Sequence, residues 1–220
     1  MQAIRLLLVF ALLAAALPGQ SPPSIQATGS ATIMVNPDQA QLNVGVTTRA
    51  ETAQAAADQN AATTNAVINA LKAVVGSSGT IQTVGYTVNP TYNNLSVLTG
   101  YAVTNTLQVT TADLSLPGPL IDAANKAGAT NVGSLTFGLK DSDPTRQQAL
   151  TLAAKQAVAH ASAIAAGLGV KTGALLAAQE GATVTPYYAT GLGAAASSTP
   201  ILTGTVSVSA TVTASVLLVQ

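Results

Sequence analysis

The chain has 220 residues, of which 48% are hydrophobic and 7% charged, with 8 Lys and Arg against 8 Asp and Glu, one His and no Cys. Without a cysteine sulfur, disulfide stapling and thiol redox chemistry are both excluded. The basic residues after Arg5 are Arg49, Lys72, Lys126, Lys140, Arg146, Lys155 and Lys171. They are too dispersed for nucleic acid or an acidic lipid surface, which need concentrated positive charge.

Arg5 followed by the apolar run at 6–17 reads as a secretory leader over residues 1–20. The run is short for a bilayer span and ends at Pro18. Cleavage after Gly19 or after Ala16 is expected, and retention as an anchor helix is the alternative. No cysteine follows the run, so it is not a lipoprotein signal. The mature chain, 21–220, is expected to be periplasmic or secreted, with no further membrane span. It is long enough for one domain with a real core or for two intimately packed halves.

Residues 24–35 and 39–50 alternate apolar with polar, the period of half-buried strands, and Asn36-Pro37-Asp38 between them reads as a hairpin turn. From Thr52 the spacing turns helical. Ala53, Ala56/Ala57, Ala61, Thr64, Val67/Ile68, Leu71 and Val74/Val75 form one stripe, and Gly76 ends the helix. Residues 81–92 and 100–110 predict a second hairpin, followed by a short helix within 113–127 and a strand at 131–139. Ser142-Asp143-Pro144 predicts a capped helix start. That helix runs to Ala166 and buries Ala149/Leu150, Ala153, Ala157, Ala161, Ile164/Ala165 and Leu168. After a short strand at 174–179, the Gly/Ala/Ser-rich segment 182–202 predicts a flexible loop. The last strand, 204–220, puts Val206, Val208, Ala210, Val212, Ala214, Val216 and Leu218 on one face. The order ββ-α-ββ-α-β-α-β-β predicts an α+β fold, a largely antiparallel sheet with long helices packed on one face.

The opening segment GSATIMVNPDQAQLNVG at 29–45, followed by its Ala/Thr-rich helix, resembles the SIMPL-domain (DUF541) family of bacterial envelope proteins. Other matching pieces are IQTVGYTVNPTY at 81–92, Gly100-Tyr101 leading through Asn105 to Leu107-Gln108-Val109, and Gly128-Ala129 before a strand ending in Phe137. The helix with Arg146, Ala149 and Ala157, then Leu168-Gly169-Val170, and the terminal GTVSVSATVTASVLL continue the likeness to the C-terminus. The 94–99 loop is short for the family and the helices are unusually rich in alanine. The resemblance implies a periplasmic or secreted protein, in a family that includes an oxidative-stress defence protein and a periplasmic immunogen. Some relatives form large oligomers. No catalytic motif transfers residue by residue.

The residues themselves suggest no catalytic, cofactor or metal constellation. His160 is the single histidine, no G-x-S-x-G nucleophile elbow occurs, and one His without Cys is a poor start for a zinc site. It reads as a solvated helix residue. Asp141 and Asp143 read as capping and dipole residues, and Asp38 as part of its turn. GLGAAA at Gly191 lacks the helix and downstream acid of a dinucleotide site. Tyr86, Tyr92 and Tyr101 on the second hairpin are candidates for an apolar ligand groove, against plain sheet packing. Tyr187 and Tyr188 in the glycine-rich loop are candidates for a partner or oligomer contact. The expected function is therefore an exported, non-enzymatic envelope protein, a homo-oligomeric scaffold or stress-protection factor. The alternative is a periplasmic binding protein for a small apolar ligand, whose identity stays open.

Overall fold

A computed structural model describes residues 22–181, 201 and 203–220, together with the backbone of Val184–Tyr188. The predicted leader and most of the 182–202 segment, including Gly191, lie outside the described residues. The elements are β1 (Ser24–Val35), β2 (Gln39–Ala50), α1 (Ala53–Val75), β3 (Gly79–Tyr92), β4 (Leu98–Thr111), α2 (Pro117–Lys126), β5 (Asn131–Gly138), α3 (Asp143–Gly167), β6 (Lys171–Glu180), β7 (Val184–Tyr188) and β8 (Val206–Val219). The mixed α+β architecture agrees with the largely antiparallel plan that alternation and helix spacing predict, and every described strand pair is antiparallel.

The strands divide between two four-stranded sheets. One has the order β1-β8-β6, with β7 also on β8; the other runs β3-β4-β2-β5. The first two strands therefore do not form the expected hairpin. β1 pairs along its whole length with β8, from Ser24 opposite Leu217 to Val35 opposite Val206. β2 lies between β4 and β5 in the other sheet. Asn36-Pro37-Asp38 is a crossing between sheets, and Asp38 fastens it. Its backbone N–H donates to the Gly138 carbonyl at 3.0 Å, and its carboxylate accepts from the Lys140 N–H at 2.7 Å. The second predicted hairpin, β3–β4, forms as expected.

Side-chain size explains the partition. In the β3-β4-β2-β5 sheet, Leu42, Val44, Val46, Leu107 and Val109 pack on Val67, Leu71 and Val75 of α1 and Leu120 of α2, a core of branched residues. In the other sheet the inward residues of β1 are small, Ala27, Gly29 and Ala31, and they meet a row of alanines on α3. Ala149, Ala153, Ala157, Ala161 and Ala165 are all fully buried. A β-carbon built on Gly29 would sit 2.2 Å from the Ala153 carbonyl oxygen and 2.4 Å from the Ala157 nitrogen, so helix and strand touch backbone to backbone. Ile164 and Leu168, expected inside, are about half exposed or more because alanine alone fills this narrow interface.

Two local corrections concern polar residues. On α1 it is Asn60, not Ala61, that is buried. Its amide donates to the carbonyls of Val46 (2.9 Å) and Val103 (3.1 Å), and its oxygen accepts from Thr64. At the start of α3, Ser142 makes no capping bond, whereas Asp141 accepts from the Asp143 N–H at 2.9 Å. Within the segment expected to be a flexible loop, Val184–Tyr188 forms a strand.

Candidate functional site

The β3–β4 hairpin carries the three tyrosines proposed for a groove. Directly opposite residues in an antiparallel pair share a face. Tyr86 opposite Asn105 and Tyr101 opposite both Pro90 and Ala50 therefore belong to the face that α1 covers elsewhere. The helix covers only the beginning of β3. Ile81 packs on the core, while Val84, Tyr86 and Val88 stand 49%, 52% and 42% exposed. Tyr101 is half-buried and Tyr92, opposite Leu98 near the tip, is exposed. The structure thus puts Tyr86 and Tyr101 on one face but spaces them along it, with the Val88–Val103 pair between.

The tip of this hairpin is a built turn. Asn93 Oδ1 accepts from the N–H groups of Leu95 (2.9 Å) and Val97 (3.0 Å), and the Asn93 N–H donates to the Val97 carbonyl. It holds Leu95 at 83% exposure, with Val97 and Leu98 also open. No charged residue occurs between Lys72 and Asp113, so the whole hairpin is free of charge. β3 is an outermost strand, and among the described residues no side chain from another element bonds its backbone between Thr80 and Pro90.

His160 has a role the sequence did not disclose. It is exposed, as expected, but Nδ1 lies 2.9 Å from the Thr28 carbonyl oxygen of β1, to which it donates. One turn earlier on α3, Gln156 Oε1 accepts the Ser30 N–H at 2.7 Å. Thr28 and Ser30 belong to the outer side of β1, the last strand of its sheet. Two side chains at i and i+4 on a helix thus occupy the open hydrogen-bonding edge of a strand. Spacing could have paired Gln156 with His160, but only the tertiary contact shows what they bind.

Charge elsewhere is local. Arg146 pairs with Glu180, joining the start of α3 to the end of β6, and the carboxylate's hydrogen bond and charge push the guanidinium further up. The Asp113 carboxyl is held below its usual range by the hydroxyl and backbone N–H of Ser115. Among the described residues, no three His, Asp or Glu side chains gather as a metal site, and no helix is long and apolar enough to cross a membrane. Tyr187 and Tyr188 fall on β7, opposite Ser207 and Val206 of β8, with their side chains outside the described residues.

Residues 25–216 match the SIMPL family, described as a protein of unknown function (DUF541). The 26 kDa periplasmic immunogenic protein of Brucella melitensis is 29% identical over 167 residues, covering 72% of this chain and 67% of that protein. Its counterpart in Brucella abortus matches to the same extent. The uncharacterized protein YggE of Escherichia coli K12 is 28% identical over 154 residues, covering 69% of this chain and 63% of YggE. The family match spans nearly the whole chain, and the chain belongs to the SIMPL family.

Proposed function

We propose that this SIMPL-family member is an exported, periplasmic or secreted protein that works without catalysis. Its role is assembly with copies of itself, as a scaffold or stress-protection factor in the cell envelope. The observation that carries this reading is the open edge of β3. A strand edge offers a row of unpaired donors and acceptors, and soluble proteins blunt such edges with charge, bulges or a cover. Here the β1 edge of one sheet is bonded by Gln156 and His160 at Ser30 and Thr28. The edge of the other is without charge and flanked by exposed Val84, Tyr86 and Val88. An antiparallel strand added to β3 would complete its ladder and cover those side chains together. The β-bulge between Thr83 and Gly85 interrupts this edge, so the added strand would pair with the stretch from Gly85 onward.

Sedimentation of the mature protein tests this. Val84→Lys with Val88→Lys should reduce the assembled mass to that of the protomer while leaving its melting temperature nearly unchanged, since both positions are exposed. A wild-type monomer at micromolar concentration, or an unaltered mass in the double variant, would overturn the proposal. The second reading, a binder of a small apolar molecule, draws on Tyr86 and Val88 lying side by side on the uncovered face. It predicts a co-purifying small molecule on a monomer.

A further inference from the structure

The tip of the β3–β4 hairpin joins an apolar apex to a turn that closes its own backbone. Every residue from Tyr92 to Thr99 is exposed, so no other described element packs on the tip. Leu95 is the most exposed large hydrophobic residue among those described, and Tyr92, Val97 and Leu98 beside it are each about half exposed or more. Tyr92 and Leu98 stand directly opposite each other across the hairpin. Exposed apolar side chains gathered in this way mark a contact with an apolar partner.

Charge narrows the kind of partner. Residues 73–112 include no Asp, Glu, Lys, Arg or His, so nothing at the tip would have to be stripped of a strongly held hydration shell. The turn backbone is prepared in the same sense. The N–H groups of Leu95 and Val97 donate to Asn93 Oδ1, that of Asn93 to the Val97 carbonyl and that of Ser96 to the Asn93 carbonyl. Just below, the Thr99 hydroxyl donates to the Thr91 carbonyl at 3.0 Å. Hydrocarbon offers no replacement for water at unpaired backbone groups, so a segment that enters it must pair them internally. A protein partner would meet one side of the hairpin. An apex and both flanking strand ends that are apolar together suit a medium that surrounds them.

We propose that this tip inserts shallowly into a neutral lipid bilayer, with Leu95, Val97 and Leu98 reaching the upper acyl chains. Tyr92 sits at headgroup level, where its ring and hydroxyl each find a suitable medium. The side chains of Asn93, Asn94 and Ser96 hold the depth to the interface. Val84 and Val88, the positions that test assembly through β3, lie outside the tip, so either reading can fail without the other.

Cosedimentation of the mature protein with phosphatidylcholine vesicles at millimolar lipid tests the proposal. Binding is expected, and it should be insensitive to salt because no charge takes part. Leu95→Asp with Val97→Asp should weaken it roughly tenfold or more. Circular dichroism melting checks that this variant is folded. The sequence contains no tryptophan, so Leu95→Trp places a single reporter at the apex, and its emission should move to shorter wavelength when vesicles are added. Wild-type protein left in the supernatant, undiminished binding by the folded Asp variant or an unshifted emission overturns the assignment. Binding that disappears at high salt also overturns it, by placing the contact at charged residues elsewhere. Loss of assembled mass in the Asp variant, without lipid binding by the wild type, would give the tip to a second copy of the chain instead.

Discussion

β1 and β3 are both outermost strands and neither carries a charged side chain, yet their edges are treated in opposite ways. Along β1 the backbone of α3 comes close enough that only glycine fits at position 29, and from that distance Gln156 and His160 reach the strand's outer N–H and C=O. Along β3 the larger core residues hold α1 over the centre of its sheet, and the helix stops covering the strand beyond Ile81. The alanine interface of α3 thus does more than bury area. A thin interface brings polar helix side chains within reach of a strand edge, and a thick one leaves the edge open.

Removing the strand that organises the closed side should have the largest effect. Val206, Val208, Val212 and Val216 of β8 are buried, Val212 and Val216 against the alanines of α3. Each is worth about 1.5–3 kcal/mol against a total stability of about 5–15 kcal/mol. A chain ending before Gly204 should not fold, and a truncated protein that melts cooperatively would show that the β1–α3 contact stands without β8.

Gly29→Val strikes the same contact at its tightest point. Its β-carbon would meet backbone atoms rather than movable side chains, so the strand and helix must separate. Overpacking of this kind costs about 1–3 kcal/mol or more. Urea denaturation should report a loss at the upper end of that range. Because separation also withdraws Gln156 and His160 from the edge, any folded fraction should associate more readily than wild type.

How much of this contrast was legible in the sequence depends on the kind of signal. Alternation in β8 and the alanine row of α3 fixed which faces turn inward, because burial imposes a period. Alternation does not name a strand's neighbour, and the Asn36-Pro37-Asp38 turn signal suited a crossing between sheets as well as a hairpin. Asn60 was hidden for a different reason. A residue that is polar by composition lies inside because two carbonyls of facing strands need its amide. His160 was read correctly as exposed, but its bond to Thr28 spans 132 positions and has no local signature. The irregular pairing of β5 with β2, where Gln41 meets Thr136 but Asn43 meets Gly133, was hidden too, because one extra residue is invisible in a pattern of period two.

Gln156→Ala with His160→Ala would open the β1 edge without disturbing the alanine interface. The strand groups they bind are exposed and can turn to water, so the loss in protomer stability should be about 1 kcal/mol. The informative readout is sedimentation. If edges govern assembly, the doubly substituted protein should form a new, larger species at high concentration. An unchanged mass would mean that side-chain guards are not what keeps β1 apart from other chains.

The smallest expected effect on the protomer is that of Tyr187→Ser with Tyr188→Ser. Both positions lie on β7, a five-residue strand paired with the first part of β8, on the side of that strand away from β1. Backbone pairing there survives the substitution, so the unfolding transition should scarcely move. For assembly, the pair separates two contacts that the fold offers. If copies meet through β3, the Tyr-to-Ser protein keeps its full mass while Val84→Lys with Val88→Lys does not. If they meet through β7, the result is reversed, and the open edge of β3 is left for another partner. Loss of mass in both variants would place β3 of one copy beside β7 of the next, a head-to-tail contact that closes into a ring or continues as a filament. Electron microscopy of the wild-type assembly would then distinguish those two forms.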